Sequence, residues 1–160
     1  MYSTNYSSPL GEMLIASDGE AVCGVWFSGQ KHFPSSDDFI QKDDLAIFRK
    51  VLQWLDDYFN GMNPEIDFKL KPEGSDFRLK VWRILCEIPY GETLTYGEIA
   101  SRISSTMSAQ AVGCAVGRNP ISIIIPCHRV LGAGGKLTGY AGGIERKIEL
   151  LKLEKIISER

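Results

Sequence analysis

An α+β fold is expected, with a small sheet and one helix in the first part and short helices in the second. Three observations predict it. Residues 13–17 and 21–27 are apolar runs on either side of Asp18-Gly19, the favoured centre of a tight hairpin. Leu45, Phe48, Val51, Leu52, Leu55 and Phe59 recur at helical spacing. Beyond Lys71-Pro-Glu-Gly74, where Pro and Gly interrupt both periodicities, helix-capping residues open one segment after another. The 160 residues, 44% of them hydrophobic, suit one ordinary domain or two small ones sharing an interface. The Pro/Gly break divides them into 1–72 and 73–160.

In chain order, Pro9-Leu-Gly11 reads as the turn into the hairpin, and His32 as a solvated residue of a polar loop. Asp43 or Asp44 caps the amphipathic helix, and Asn60-Gly61 stops it. That helix lies on a sheet and is assigned no chemistry. Residues 65–70 alternate and read as a further strand. Ser75 or Asp76 caps a helix whose apolar face is Phe77, Val81, Leu85 and Ile88, flanked by Trp82 and Ile84; Pro89-Tyr-Gly91 ends it. Thr95-Tyr-Gly-Glu98 has the form of a capping box and starts a short helix to about Arg102. After a polar turn, Ser108 caps another over residues 109–116. Two short helices joined by a brief turn fit a helix-turn-helix. The second is rich in small residues, Ala109, Ala111, Gly113 and Ala115. Such a helix either packs closely in a core or approaches a DNA backbone or minor groove unhindered. The last helix, from about Ile144, is expected to bury Ile144, Ile148, Leu151 and Leu150. Glu154 lies near that face, where a carboxylate is usually solvated.

The net charge of −2 argues against a generally nucleic-acid-sticky protein. The charge is uneven: residues 1–72 carry 6 Lys+Arg against 11 Asp+Glu, and residues 73–160 carry 12 against 9. A phosphate-rich partner would meet the second part. The four cysteines form no C-x-x-C pair and the only histidines are His32 and His128, so no metal site is expected. Free cysteines, no signal-peptide pattern and no membrane-length apolar run lead to the expectation of a reduced, cytoplasmic protein without membrane contact.

The stretch with most chemistry is Asn119-Pro-Ile-Ser-Ile-Ile-Ile-Pro-Cys-His-Arg-Val130. Three consecutive isoleucines suit a short buried strand, which Pro126 ends. Cys127 is then expected where that strand stops, at the edge of a pocket, with His128 beside it. A free thiol is only a few per cent thiolate at neutral pH, and an imidazole can take its proton. A Cys-His pair alone reads as a buried cysteine beside a chance histidine. The whole run instead resembles the active-site signature of the O6-alkylguanine-DNA alkyltransferases. The resemblance covers most of the second part and, more weakly, the first.

That resemblance implies a ribonuclease-H-like N-terminal sheet and a winged helix-turn-helix-type DNA-binding domain. It implies Cys127 as the alkyl acceptor, His128 as a base acting through a water, and Glu154 as the acid orienting that histidine. Tyr96 matches the tyrosine that assists rotation of the nucleotide and donates to the guanine, and Asn119 the asparagine bracing the turn that links the recognition helix to the active-site strand. Tyr140, Ala141, Gly142, Pro126 and Val130 are implied to line the base pocket. Thr95, Ala109, Gln110, Ala111, Gly113, Arg118 and Arg129 are implied to meet DNA. The partner implied is double-stranded DNA carrying alkylated guanine, bound through the minor groove by a monomer in a single-turnover transfer without cofactor. One residue departs from the pattern: Gln110 stands where an arginine usually fills the gap left by the flipped base. Two other readings remain, a lesion-binding module without chemistry and a cysteine hydrolase using Cys127 and His128.

Overall fold

The computed structural model describes residues 1–158. Its first part is a five-stranded sheet in the order β4-β1-β2-β3-β5. Strands β1 (Tyr2–Ser8), β2 (Gly11–Ser17) and β3 (Ala21–Phe27) form an antiparallel meander. Asp18-Gly19 does make the turn between β2 and β3, with Gly19 at φ 109°, and the register shift at Ala16/Ser17 leaves Cys23 as an extra residue on β3. Strand β1 was not expected, because its Ser, Thr and Asn residues give no apolar alternation. It is held by pairing along its whole length and by Thr4 Oγ1 donating to Asp43 Oδ1 at 2.7 Å.

β4 (Ile40–Gln41) pairs parallel to β1. Helix α1 (Ala46–Phe59) then buries Phe48, Val51, Trp54, Leu55 and Tyr58 against the sheet side. Neither Asp43 nor Asp44 caps it: Leu45 holds the cap position without a side-chain bond, because Asp43 is engaged with β1. Of the strand expected over 65–70, only β5 (Lys69–Leu70) forms, parallel to the start of β3.

The second part follows the local capping signals. Ser75 accepts from Arg78 N at the head of α2 (Asp76–Leu85). β6 (Leu94–Thr95) leads into α3 (Tyr96–Ile103), where Thr95 and Glu98 complete the capping box. Ser108 caps α4 (Ala109–Gly117), which packs on α3 and α2. Trp82 Nε1 donates to Ala115 O at 2.8 Å, tying α2 to α4. β7 (Val130–Leu131) pairs parallel to β6, and α5 (Ile144–Leu153) closes the fold. One continuous core joins both parts, with Met13, Phe27 and Leu55 in the same cluster as Val81, Ile99, Val112 and Leu150. Among the described residues no helix is long and apolar enough to cross a membrane.

The isoleucine run is not the expected strand. Only Ile121 bridges a strand, Val25 of β3, through Val25 N donating to Pro120 O and Ser122 N donating to Val25 O. Residues 122–124 turn, and Ile123 takes φ 70°, an uncommon conformation for a β-branched residue. Asn119 makes that turn possible. Its Nδ2 donates to Ile125 O at 2.8 Å and Ile121 O at 3.3 Å, and its Oδ1 accepts from Ile121 N at 3.0 Å. One buried side chain thus satisfies backbone groups that a strand ladder would have served.

Asn119→Ala is therefore expected to leave these buried groups unpaired. The loss should be about 3 kcal/mol, given roughly 1–3 kcal/mol for each unsatisfied buried group. Urea unfolding of the variant against the parent measures it.

Candidate active site

Cys127 opens a short 3-10 turn, Cys127–Arg129, immediately after Pro126. Its residue is only 5% exposed, yet it reaches an open cleft of about 1130 Å³. Burial pushes the thiol above its ordinary range. A bond from the Asn119 side chain and the nearby Lys147 charge work in the opposite direction.

Behind Cys127 lies a buried polar cluster. His128 Nε2 is 2.6 Å from Glu154 Oε2, and both side chains are fully buried. Glu154, the residue closing α5, is surrounded by donors. Arg129 Nε donates to Oε1 at 2.8 Å, Arg129 Nη2 to Oε2 at 3.2 Å, Gly91 N to Oε1 at 3.0 Å and the Tyr58 hydroxyl to Oε2 at 2.5 Å. Burial alone would raise the Glu154 carboxyl, but His128, then Arg129 and Tyr58, hold it down at about 2. It is an anion at neutral pH. The hydrogen-bond pattern therefore assigns the imidazole proton to Nε2 and leaves Nδ1 as the acceptor. Nδ1 is buried with no hydrogen-bond partner among the described residues. Burial, chiefly, lowers the His128 pKa, with Glu154 opposing and Arg129 and Lys147 assisting. A neutral imidazole with a free lone pair beside a buried thiol can accept a proton.

Two more groups complete the surroundings of the sulfur. Lys147 is fully buried on α5, and its Nζ donates to Val130 O at 2.6 Å. Burial lowers it to about 8, against the pull of Cys127. Tyr140 brings a buried hydroxyl that has no partner by geometry among the described residues. Its pKa is raised first by burial and then by Cys127. Gly142 is required beneath it: a Cβ there would lie 2.8 Å from the Tyr140 ring and 3.0 Å from the Phe27 ring.

The cleft gathers most of the residues expected to meet a ligand: Thr95, Tyr96, Ala109, Gln110, Gly113, Arg118, Tyr140 and Ala141. Gln110 and Arg118 are exposed on its wall. The small-residue helix has two sides: Val112 and Ala115 are buried in the core, while Ala109 is exposed and Gly113 faces the Tyr96 ring across the cleft. Thr138 Oγ1 donates to the Tyr96 hydroxyl at 3.1 Å. Lys31, His32 and Arg78 also line the cleft; His32 is exposed in its loop, as expected, and that loop borders the cleft.

Other expected residues lie elsewhere. Arg129 turns inward to Glu154 and to Ile88 O at 2.7 Å, and is not presented on the cleft as a DNA contact. Pro126, Val130 and Gly142 are buried outside the cleft lining, as is the half-buried Ala111. Asn119, His128 and Glu154 stand behind the cysteine and not in the cleft.

Tyr58 and Lys147 escaped the sequence reading. Nothing in α1 separates Tyr58 from its buried apolar neighbours. Lys147 does leave a signal: Lys147, Leu150, Leu151 and Glu154 form an i, i+3, i+4, i+7 stripe, and that stripe is the buried one. Ile144 is exposed, contrary to expectation, because its side of the helix faces outward.

Residues 1–72 match the family model described as 6-O-methylguanine DNA methyltransferase, ribonuclease-like domain. Residues 76–156 match that of the 6-O-methylguanine DNA methyltransferase DNA binding domain. A methylated-DNA–protein-cysteine methyltransferase of Haemophilus influenzae is 48% identical over 98% of this chain and 87% of its own. One of Methanosarcina acetivorans is 48% identical over 96% and 98%. The crystal structure of Mycobacterium tuberculosis OGT in complex with DNA superposes with a TM-score of 0.89 at 43% identity, covering 97% of this chain and 93% of that one.

The buried pair makes stability acid-sensitive, and the sign follows from the shifts. Glu154 is depressed from 4.5 to about 2, so its contribution is present above the unfolded value and lost as pH falls toward 2. His128 is also depressed, so the unfolded chain takes up its proton first and stability begins to fall below about 6.5. Urea midpoints should therefore fall from pH 7 to pH 3. The Glu154 share is on the order of 3 kcal/mol. Glu154→Gln should unfold more easily at pH 7 and show a flatter acid limb.

Proposed function

The chain belongs to the 6-O-methylguanine DNA methyltransferase family, and from that premise we propose how its own residues carry out repair of alkylated DNA. The protein transfers the alkyl group from O6 of guanine to Cys127. The single observation that carries the assignment of residues is a cleft-lining thiol backed by a buried imidazole with one nitrogen free and the other held by an ionised carboxylate.

The Cys127 proton passes through a water to His128 Nδ1. Glu154 stabilises the imidazolium that forms. Lys147 provides positive charge near the developing thiolate. The sulfur attacks the alkyl carbon in line; the S–C bond forms as the C–O6 bond breaks, and the electron pair returns to the guanine. Tyr96, on the cleft wall, donates a hydrogen bond to the base as that negative charge develops. The thioether left on Cys127 has no route of release, so each molecule reacts once. No cofactor is needed, because the lesion supplies the group.

The reactive carbon lies inside a duplex, so the nucleotide must leave the stack, at a few kcal/mol and least for a damaged base. The α4 face bearing Ala109, Gln110 and Gly113 enters the minor groove, where small residues permit close approach. Arg118, with Lys31 and Arg78 on the rim, meets phosphates, giving weak sequence preference. Arg129 is reassigned from DNA contact to the Glu154 cluster. Residues 1–72 and 73–160 act as two units of one cytoplasmic monomer. A lesion-binding module without chemistry is the weaker reading, since Cys127 stands in front of a complete base and orienting acid.

Incubation with an oligonucleotide carrying O6-methylguanine should add one methyl, in place of the thiol hydrogen, to the peptide containing Cys127. Intact-protein mass spectrometry reads it. Cys127→Ala should show no gain; binding without a mass change in the parent would instead favour the lesion-binding reading. Gln110→Arg is expected to tighten duplex binding or speed base extrusion, because a guanidinium adds charge and a broader plane. Stopped-flow fluorescence with a lesion-containing duplex measures both, and unchanged affinity and rate would remove Gln110 from the extrusion step.

A further inference from the structure

We propose that Tyr58 is a positioning residue for the transfer reaction: its hydroxyl shares Glu154 Oε2 with His128 and so sets how strongly that carboxylate draws on the imidazole. The inference rests on His128 being the base.

The two oxygens of Glu154 do different work. Oε1 is fixed by Arg129 Nε and Gly91 N. These anchors hold the carboxylate in place without help from Tyr58. Oε2 receives His128 Nε2 at 2.6 Å and the Tyr58 hydroxyl at 2.5 Å, with Arg129 Nη2 further off at 3.2 Å. The Tyr58 oxygen is 3.3 Å from His128 Nε2, so the two donors converge on one acceptor. A short, charge-assisted donation withdraws electron density from that oxygen. The imidazolium form of His128 then gains less from Glu154, and the imidazole stays neutral and able to accept.

The phenol is built to remain a donor. Burial, and then Glu154, push its ionisation far above the ordinary range. Its ring is stacked on Trp54, with centroids 5.4 Å apart and planes 8° apart, and meets Phe59, Tyr90 and His128 edge-on. The groups set against His128 are Glu154 at the end of α5, Lys147 from α5, Arg129 from its own turn and Tyr58 from α1. Glu154 favours the imidazolium, while Arg129 and Lys147 oppose it. Tyr58 is the group in this set that tempers Glu154 without carrying charge.

The test is a pH titration of the His128 ring nitrogens by NMR, in the parent, in Tyr58→Phe, and with 3-fluorotyrosine placed at position 58. Tyr58→Phe should raise the His128 midpoint by about half a pH unit or more. The acid limb of the methyl-transfer rate should move with it, while the plateau at higher pH is retained. Fluorotyrosine is a stronger donor of nearly the same shape and should shift both downward, which keeps the test decisive should the phenylalanine variant fold poorly. A His128 midpoint that stays put in the variants overturns the proposal, whatever happens to melting temperature or plateau rate, because packing alone would move only those. If the parent itself fails to methylate Cys127, the transfer reading falls, and the His128 titration still decides the coupling to Tyr58 separately.

Discussion

The Glu154 carboxylate is the constraint on which the rest of the structure depends. A buried anion is tolerated only when its lone pairs are filled, and here donors come from α1, the turn after α2 and the Cys127–Arg129 turn, all converging on the end of α5. A buried ion pair is weak evidence of stability for its own sake, since desolvation offsets much of the attraction. Its effect is specification. The carboxylate can be satisfied only when four separated segments are in register, and that arrangement places His128 with Nε2 occupied and Nδ1 free.

Reactivity and burial oppose one another at Cys127. Burial favours the neutral thiol, which keeps the sulfur protonated until a base acts. Cys86 and Cys114 are exposed, and burial or exposure alone does not distinguish a nucleophile. Cys114 even lines the same cleft, but Cys127 alone has the imidazole as its chain neighbour and the Asn119 amide and Lys147 ammonium acting on it. The difference in chemistry therefore lies in what stands behind the sulfur, not in how open it is to the cleft.

Sequence legibility followed the range of the interactions. The hairpin at Asp18-Gly19, the capping box at Thr95 and the caps at Ser75 and Ser108 depend on residues a few positions apart, and all form as the sequence indicates. The isoleucine run misled because strand propensity describes ladder partners, whereas Asn119 offers the same backbone a different set. Polar β1 was invisible for the converse reason: it is paired by its neighbours and carries little apolar pattern of its own. At the site, the Cys127-His128 motif and the family resemblance supply the centre. Tyr58 sits 96 residues from Glu154, and no periodicity links them. Lys147 is legible in principle, but a buried lysine is so uncommon that the apolar stripe beside it is the stronger pattern.

The long-range character of that cluster bears on why the sheet-bearing part exists in this chain. The helix-turn-helix, the cysteine turn and α5 all belong to the second part and could be imagined as a complete site. The contacts argue otherwise. Val25 of β3 receives the turn at Ile121, fixing the backbone that leads to Cys127. Phe27 lies under Gly142 and so bears on the loop carrying Tyr140. Tyr58 of α1 reaches the carboxylate that orients His128. Three supports from the first part thus act on the path to the sulfur, the loop over it and the acid behind it. Core packing alone would be served by many apolar residues at these positions. A hydroxyl aimed at a buried carboxylate would not, and so the first part contributes to the chemistry as well as to the scaffold.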